Sequence, residues 1–278
     1  MRNYVQDRVV VITGAGNGFG LLMAQMAAAL GARVVGADIN AAPLAETFDA
    51  LDAAGHTVAY QQADVSDLGQ MQALAAFAVE RFGAIDVMIN NAGVMPLAFF
   101  ADHARAADAW SKAIDINIKG DLNGISAVHD QMIAQGRGHV VNISSTYSNF
   151  ATEGAAVYAA TKTAVNTISE SMRVETQGKI KVTIVRPTGV IATGLGSTIV
   201  NPRGAAAISG HHARSFVGNF TKYADGTLPP EMTDRDNPRY WALAPEGIAE
   251  QVIYVINQPW GVAISDITVR ATGEEYIL

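Results

Sequence analysis

Short β-branched runs alternate with long alanine-rich segments along most of this 278-residue chain. The short runs are mostly apolar without polar alternation, which is typical of parallel strands that are buried on both faces. They cover residues 8–12, 33–37, 57–61, 85–90, 139–143, 181–185 and 263–269. The long segments have helical periodicity and cover residues 18–30, 42–54, 68–82, 103–135, 155–177 and 245–258. Because parallel neighbours require right-handed crossovers, the pattern predicts an α/β protein with a three-layer, doubly wound, seven-stranded parallel sheet.

Composition narrows the classes of protein that fit this pattern. With 49% apolar and 16% charged residues, we expect residues 1–278 to form a single domain with one large core. A net charge of −7 without a run of Lys or Arg argues against a nucleic-acid partner. The absence of cysteine excludes thiol catalysis and disulfides, and we expect no metal site. No apolar run is long enough for a signal or a membrane span, so the sequence predicts a cytoplasmic protein without a membrane partner.

One segment, residues 194–240, breaks the alternation because it contains no clean strand. Excursions of this length in a compact domain are usually functional lids or disordered loops. Gly189, Gly194 and Gly196 lie at its start and could act as hinges, which favours a substrate lid. A solvated surface insertion is the alternative interpretation.

A glycine-rich turn joins the first predicted strand to the first predicted helix. Its spacing is Gly14-x-x-x-Gly18-x-Gly20, with Asn17 and Phe19 between the glycines. Glycines at such a turn let the chain leave the strand sharply and let the backbone approach a pyrophosphate. The helix that follows directs free N–H groups and its positive dipole end at the anion. The turn therefore predicts a dinucleotide site in a fold of the Rossmann type.

Asp38 ends the second predicted strand, where such sites place an acid for the ribose 2′-hydroxyl. A carboxylate accepts a hydrogen bond from that hydroxyl but repels a 2′-phosphate. Arg33, the nearest basic residue, lies roughly 17 Å back along the strand, too far to bind a phosphate there. We therefore expect NAD rather than NADP as the cofactor. The alternative is an acid that only caps a turn.

Tyr158 and Lys162 lie one helical turn apart on the same face of a predicted helix. Upstream, Ser145 closes a strand-like run. Each residue alone has an ordinary explanation, as a half-buried tyrosine, an exposed lysine and a capping serine. Together with the glycine turn, they indicate a phenol that moves a proton beside a hydride acceptor.

At this point the chain resembles the short-chain dehydrogenase/reductase family over roughly residues 5–193 and 245–270. The resemblance rests on the glycine turn, on Asp64-Val65, on Asn90-Asn91-Ala92-Gly93, and on Asn117, Ser145, Tyr158, Lys162, Pro187 and Thr193. It implies a catalytic tetrad of Asn117, Ser145, Tyr158 and Lys162. It also implies cofactor contacts by Gly14, Asn17, Gly18, Phe19, Gly20, Asp38, Ile39, Asp64, Val65, Asn91, Ala92, Gly93, Tyr158, Lys162, Pro187, Thr188, Gly189, Val190 and Thr193. The chain departs from the family pattern where Thr188 stands between Pro187 and Gly189.

The expected chemistry centres on Tyr158 as general acid and base. Lowering a tyrosine pKa from about 10 to about 7 takes about 4 kcal/mol. An ammonium at about 4 Å supplies this amount at an effective dielectric near 20, so we expect Lys162 to lower the pKa of Tyr158. The resemblance implies that Lys162 also holds the nicotinamide ribose. Ser145 would orient the substrate oxygen, and Asn117 would hold a water that relays protons to solvent.

The substrate pocket is predicted at the carboxyl ends of the strands, with walls from Met95, Tyr147 and Leu195 beside Ser145. These walls are mostly apolar, which favours a secondary alcohol or ketone with an apolar or aromatic body. The expected function is therefore NAD-dependent oxidation and reduction of such a small molecule. An epimerase or dehydratase on the same fold and a non-catalytic dinucleotide sensor are the alternatives. The resemblance implies that the helices containing residues 114–125 and 164–172 pair between subunits of a homodimer or homotetramer.

Overall fold

The computed structural model describes residues 2–277 and contains a seven-stranded parallel sheet. The strands are β1 (Val9–Thr13), β2 (Arg33–Asp38), β3 (Val58–Gln62), β4 (Val87–Asn90), β5 (Gly138–Ile143), β6 (Ile180–Pro187) and β7 (Asp266–Val269). Their spatial order is β3-β2-β1-β4-β5-β6-β7. The register aligns one apolar row across six strands, namely Ala59, Val35, Val11, Met88, Val140 and Val182. The doubly wound parallel sheet predicted from the alternation is confirmed.

Helices cover both faces of the sheet and complete the three layers. They are α1 (Gly18–Ala29), α2 (Ala41–Ala53), α3 (Leu68–Phe82), α4 (His103–Ile114), α5 (Gly120–Gln135), α6 (Ala156–Glu175), α7 (Arg203–Ala207), α8 (Ala213–Ala224), α9 (Pro230–Thr233) and α10 (Pro245–Ile256). A π-helical turn, Asp115–Lys119, joins α4 to α5, so the helix predicted over residues 103–135 is continuous but locally widened. Within residues 2–277, no helix is long and apolar enough to cross a membrane.

Gly36 in β2 is required by the packing of α2 on the sheet. A Cβ atom on Gly36 in β2 would lie 2.1 Å from the Phe48 ring, so any side chain there would expel Phe48. Phe48 is fully buried between α2 and the sheet. Glycine at position 36 therefore lets α2 pack closely on β2 and fixes the position of the β2 carboxyl end.

The strand order reverses between β1 and β4, because the chain runs outward from β1 to β3 and then returns to β4 beside β1. Crossovers on opposite faces leave a crevice at the carboxyl ends of these two strands, which is where doubly wound folds bind ligands. Thr13 ends β1 and Asn90 ends β4 at this crevice. The topology thus brings the glycine turn and the loop after β4 together.

Residues 194–240 fold into short helices, and no strand falls in this range. The helix-like piece predicted over residues 204–220 consists of α7, a 3₁₀ turn (Gly210–His212) and α8. The partly buried Phe216 of α8 packs on the buried Trp241 with ring centroids 5.6 Å apart, so this excursion has a small apolar core of its own. We call residues 194–244 the lid segment.

His139 in β5 makes stability depend on pH. Its Nε2 lies 2.8 Å from Thr183 Oγ1, whose hydrogen is donated to Ile264 O, so Nε2 carries the imidazole proton. Burial, with the charges of Lys181 and Arg8, holds the pKa of His139 well below its usual value. Stability from this group is therefore present above pH ~6.5 and is lost as pH falls below it, by up to about 1.4 kcal/mol per pH unit.

We expect His139→Gln to remove this component of acid destabilisation. The amide keeps a donor but cannot gain a proton as the pH falls. Urea unfolding between pH 5 and pH 8 measures the effect, and the half-exposed His129→Gln variant is the control. Equal pH slopes for His139→Gln and the wild type would contradict this account of His139.

Candidate active site

The glycine turn between β1 and α1 has the geometry of an anion cradle. Gly14 and Gly18 have φ values of 65° and 52°, in the left-handed region that favours glycine. A Cβ atom on Gly20 would lie 2.0 Å from Gly14 O, so α1 approaches the turn as closely as a glycine permits. A Cβ atom on Gly18 would meet nothing within 4 Å, which leaves open space above the helix N-terminus. The turn therefore fits a pyrophosphate in the way that the sequence predicted.

Asn91 fastens the loop after β4 to this turn. Its Nδ2 donates to Thr13 O at 2.8 Å and to Gly14 O at 3.2 Å. The Thr13 hydroxyl accepts from the backbone N–H groups of Asn91 and Ala92 at 3.0 and 3.2 Å. Asn91 and Ala92, both predicted to contact the cofactor, are thus held against the glycine turn.

Asp38 is directed back toward the glycine turn from the end of β2. Its Oδ2 accepts from the Gly16 backbone N–H at 3.0 Å, and its Oδ1 accepts from Asn40 N at 2.9 Å. The Asn40 side chain also donates from Nδ2 to Oδ1 at 3.2 Å, so three N–H groups fix the orientation of this buried carboxylate. The cation nearest in sequence, Arg33, lies at the opposite end of β2. This arrangement fixes a negative charge beside the glycine turn.

Ser145 and Tyr158 meet at the carboxyl end of β5. Ser145 begins a 3₁₀ turn (Thr146–Ser148), where its Oγ accepts from Tyr147 N at 3.2 Å. The Tyr147 and Tyr158 rings pack edge to face with centroids 5.4 Å apart. Burial raises the pKa of Tyr158 to about 12, and hydrogen bonding with Ser145 opposes that rise. Tyr158 is therefore a neutral phenol at physiological pH in this structure.

The lowered pKa that was expected for Tyr158 from Lys162 was wrong, because burial raises that pKa instead. Lys162 Nζ is buried and donates to Ile143 O at 2.7 Å, so the end of β5 takes one of its three N–H donors. The ammonium also lies close to Gly93, since a Cβ atom there would be 3.7 Å from Nζ. Spacing on a helix placed both side chains on one face correctly, but it carried no information on burial or on competing acceptors.

Asn117 lies in the π-helical turn and holds the loop after β4. Its Oδ1 accepts from Val94 N at 2.9 Å, while Nδ2 donates to Val94 O at 2.9 Å and to Thr161 Oγ1 at 3.1 Å. Both amide hydrogens are therefore used within the protein, and only Oδ1 can accept a further bond from the water that we predicted. A widened π turn at such a residue is frequent at functional sites.

Asp121 is a buried carboxylate that sequence reasoning missed. It follows Asn117 by one helical turn, and among residues 2–277 its Oδ2 has no hydrogen-bond partner. Burial raises the pKa of Asp121, and the Lys162 charge opposes that rise. Burial likewise lowers the pKa of Lys162, and Asp121 opposes that change. The signal available in the sequence was the spacing, because Asp121 follows Asn117 by four residues and so lies on the same face of the helix.

The structure places the remaining predicted cofactor residues around the same crevice. Asp64 Oδ1 accepts from Ser66 N at 2.9 Å, Val65 packs on Gly120, and Ile39 is exposed beside Asp38. Pro187 ends β6, and Thr188 continues the β6–β7 pairing through Thr188 N to Val269 O at 3.1 Å. Phe19 and Val190 both pack against the cluster of Leu243, Ile248 and Ala271. Gly189 is covered by Tyr276, and Thr193 precedes the 3₁₀ turn Gly194–Thr198.

Thr198, at the start of the lid segment, joins two predicted pocket residues, Met95 and Leu195. Met95 N donates to Thr198 Oγ1 at 2.7 Å, and Met95 packs against the cluster that contains Tyr147 and Tyr158. Leu195 is half-buried in the turn that ends at Thr198, whose hydroxyl donates to Leu195 O at 2.7 Å. The structure thus brings Met95 to the tyrosines and connects Leu195 to it through Thr198.

Comparison with known proteins decides the family. A family model described as short chain dehydrogenase matches residues 8–203. The chain belongs to the short-chain dehydrogenase family. An uncharacterized oxidoreductase of Staphylococcus saprophyticus is 32% identical over 98% of this chain and 99% of its own length. Another uncharacterized oxidoreductase, from Listeria monocytogenes, is 30% identical over 98% of this chain and 99% of its own.

Solved structures give the same result for the fold. A short-chain dehydrogenase/reductase from Burkholderia phymatum in complex with NAD has a TM-score of 0.75 and 26% identity, covering 96% of this chain and 90% of its own. The closed form of a serine dehydrogenase complexed with NADP⁺ has a TM-score of 0.75 and 27% identity, covering 94% of both chains. As a short-chain dehydrogenase, this chain is an oxidoreductase that uses a nicotinamide cofactor. Since these neighbours bind different dinucleotides, the choice between them depends on this chain's own residues.

Proposed function

We propose that this short-chain dehydrogenase interconverts a secondary alcohol and a ketone with NAD as its cofactor. The observation that carries the proposal is the grouping of Ser145, Tyr158 and Lys162 at the carboxyl end of β5, where Lys162 lies close to Gly93 in the loop that Asn91 ties to the glycine turn. The bound nicotinamide supplies a hydride acceptor or donor. The chain itself supplies a phenol, a hydroxyl and an ammonium.

Tyr158 transfers the proton at its hydroxyl oxygen. As a neutral phenol with a raised pKa, Tyr158 can donate a proton to a carbonyl oxygen during reduction. Oxidation requires the phenolate, so the pKa of Tyr158 must fall when the site is filled. A cation at about 5 Å with an effective dielectric near 20 contributes about 3 kcal/mol, or somewhat more than two pKa units. From a pKa of about 12 this leaves a small phenolate fraction at neutral pH that grows as the pH rises. Lys162 is the buried cation of this site that can supply such a charge.

Asp38 supports NAD rather than NADP. Its carboxylate is buried at the end of β2 and is held by Gly16 N, so a 2′-phosphate at that position would face a fixed negative charge. The residues that would hold the rest of the dinucleotide are the glycine turn, Asp64 with Val65, and the loop of Asn91 to Gly93. Lys162, close to Gly93, would hold the nicotinamide ribose.

The substrate pocket is proposed to be apolar and aromatic. Met95, Leu97 and Tyr147 pack around Tyr158, and Leu97 is fully buried. These surroundings favour an alcohol or ketone whose body is apolar or aromatic over a charged substrate.

We also propose that residues 1–278 form one domain in which an insertion at about residues 194–240 covers the substrate as a lid.

We further propose that the chain is a homodimer or homotetramer. Ile114 at the end of α4 and Leu122 on α5 are 44% and 41% exposed, while Val165 and Met172 on α6 face the core. The exposed pair supports association through the α4–α5 side. Light scattering at micromolar concentration should give a dimer or tetramer mass, and a monomer mass would contradict this proposal.

An NADH-absorbance screen over secondary alcohols tests the proposed function. We expect NADH to accumulate with apolar or aromatic secondary alcohols, and we expect one ketone to be released per NADH. An epimerase or dehydratase would retain the ketone, so free ketone in equal amount to NADH separates the reactions. Absence of turnover with every alcohol in both directions, although NADH binds, would contradict the proposal.

A further inference from the structure

The segment that follows β7 returns over the catalytic end of the sheet. We call residues 270–277 the arm. The Gly273 backbone N–H donates to Tyr240 O at 2.8 Å, and Ile277 N donates to Ile208 O at 3.2 Å. Glu275 Oε2 accepts from Trp241 Nε1 at 2.9 Å and from Asn219 Nδ2 at 3.2 Å. All four partners belong to the lid segment, so arm and lid form one connected cover.

Tyr276 is the arm residue that reaches the cofactor loop. A Cβ atom on Gly189 would lie 1.8 Å from the Tyr276 hydroxyl and 2.2 Å from two ring carbons, so the ring lies directly on the Gly189 backbone. Gly189 follows β6 in the loop that the family resemblance assigns to the nicotinamide. A side chain at position 189 would expel Tyr276. This contact explains why position 189 is a glycine, which the sequence alone did not show.

Tyr276 also packs on the group that contains the catalytic phenol. It contacts the cluster formed by Leu97, Tyr147, Ala155, Tyr158, Ala159 and Ile208. On its other side lies Phe216 of the lid, with ring centroids 5.5 Å apart. Burial raises the pKa of Tyr276, which therefore remains a neutral aromatic surface at all physiological pH values.

We infer that Tyr276 is a specificity-determining residue, the wall of the substrate pocket between the Gly189 loop and the lid. The inference rests on the proposed function, because it assumes that a substrate lies in front of Tyr158. A substrate there must share the space bounded by the rings of Tyr147 and Tyr276. The pocket therefore selects compact secondary alcohols or ketones with a flat apolar group and rejects bulky ones.

Size selection provides the first test. We expect Tyr276→Ala to raise kcat/KM for 1-(2-naphthyl)ethanol relative to 2-butanol by ~10-fold or more, because truncation opens the wall. Tyr276→Phe should keep the wild-type ratio, because it retains the ring. Tyr254→Ala, which truncates a tyrosine that is 46% exposed on α10, is the matched control. An unchanged ratio in Tyr276→Ala, with normal NADH binding, would overturn the inference.

The absence of cysteine from the chain allows a second test that does not need turnover. Tyr276→Cys and Tyr254→Cys each introduce a single thiol. We expect maleimide to label Tyr276→Cys at least ~10-fold more slowly than Tyr254→Cys, because the arm is held against the lid, and saturating NADH should slow it further. Equal labelling rates, or no effect of NADH, would overturn the placement. If no alcohol is oxidised, the proposed function fails, but the labelling rates still test whether Tyr276 is held between the lid and the cofactor loop.

Discussion

Replacing Tyr158 with phenylalanine is expected to lower kcat for alcohol oxidation by ~100-fold to ~10,000-fold, the range that general acid–base catalysis contributes. The ring remains packed on Tyr147, so the fold and the crevice should persist. The hydroxyl that exchanges a proton with the substrate is removed. Initial rates of NADH formation under saturating substrate measure the effect, and NADH binding by fluorescence should match the wild type.

Tyr147→Phe is the matched control for Tyr158→Phe. It also removes a phenol hydroxyl from the same pair of buried rings, but the Tyr147 hydroxyl transfers no proton in the proposed reaction. We expect Tyr147→Phe to keep kcat within ~10-fold of the wild type. Similar losses in both variants would indicate a packing effect, and unimpaired turnover in Tyr158→Phe would remove Tyr158 from the mechanism.

Neutralising Asp38 is expected to reverse much of the preference for NAD. In Asp38→Asn the fixed negative charge that opposes a 2′-phosphate disappears, while the amide oxygen can still accept from Gly16 N. NADP is no longer repelled, and NAD is bound less well because its ribose 2′-hydroxyl loses a strong acceptor, so both changes lower the NAD-to-NADP ratio. We expect the NAD-to-NADP ratio of kcat/KM to fall by ~100-fold, which corresponds to about 3 kcal/mol of lost discrimination.

Asp52→Asn is the control for the effect of Asp38→Asn on the NAD-to-NADP ratio of kcat/KM. Asp52 lies exposed near the end of α2, on the same part of the chain, but it does not contact the glycine turn. Asp52→Asn removes the same charge and should leave the NAD-to-NADP ratio unchanged. A wild-type enzyme that uses NADP as well as NAD would show that Asp38 does not select the cofactor.

The sequence predicted the features that depend on periodicity and chain order. Buried strands without polar alternation gave the parallel sheet, and the order of the motifs placed Ser145, Tyr158 and Lys162 at one end of it. Asp38 was predicted from its place at the end of β2, and its carboxylate does face the glycine turn. These features follow from rules that act over a few residues or on the whole topology.

The features that were missed depend on burial and on contacts between distant segments. The raised pKa of Tyr158 and the bond from Lys162 to Ile143 O arise from desolvation and from one available carbonyl, which helical spacing does not encode. The arm is a short polar run without periodicity, and its position is determined by lid residues such as Trp241 and Asn219. Tyr276 could therefore not be assigned to the pocket from the sequence.

A crystal structure of the protein with NADH tests the central claim most directly. The account predicts the pyrophosphate over the turn of Gly14 to Gly20, the adenosine ribose at Asp38, and the nicotinamide ring beside Tyr158 and Gly189. A dinucleotide bound in another crevice, or a Tyr158 hydroxyl directed away from the nicotinamide, would contradict it.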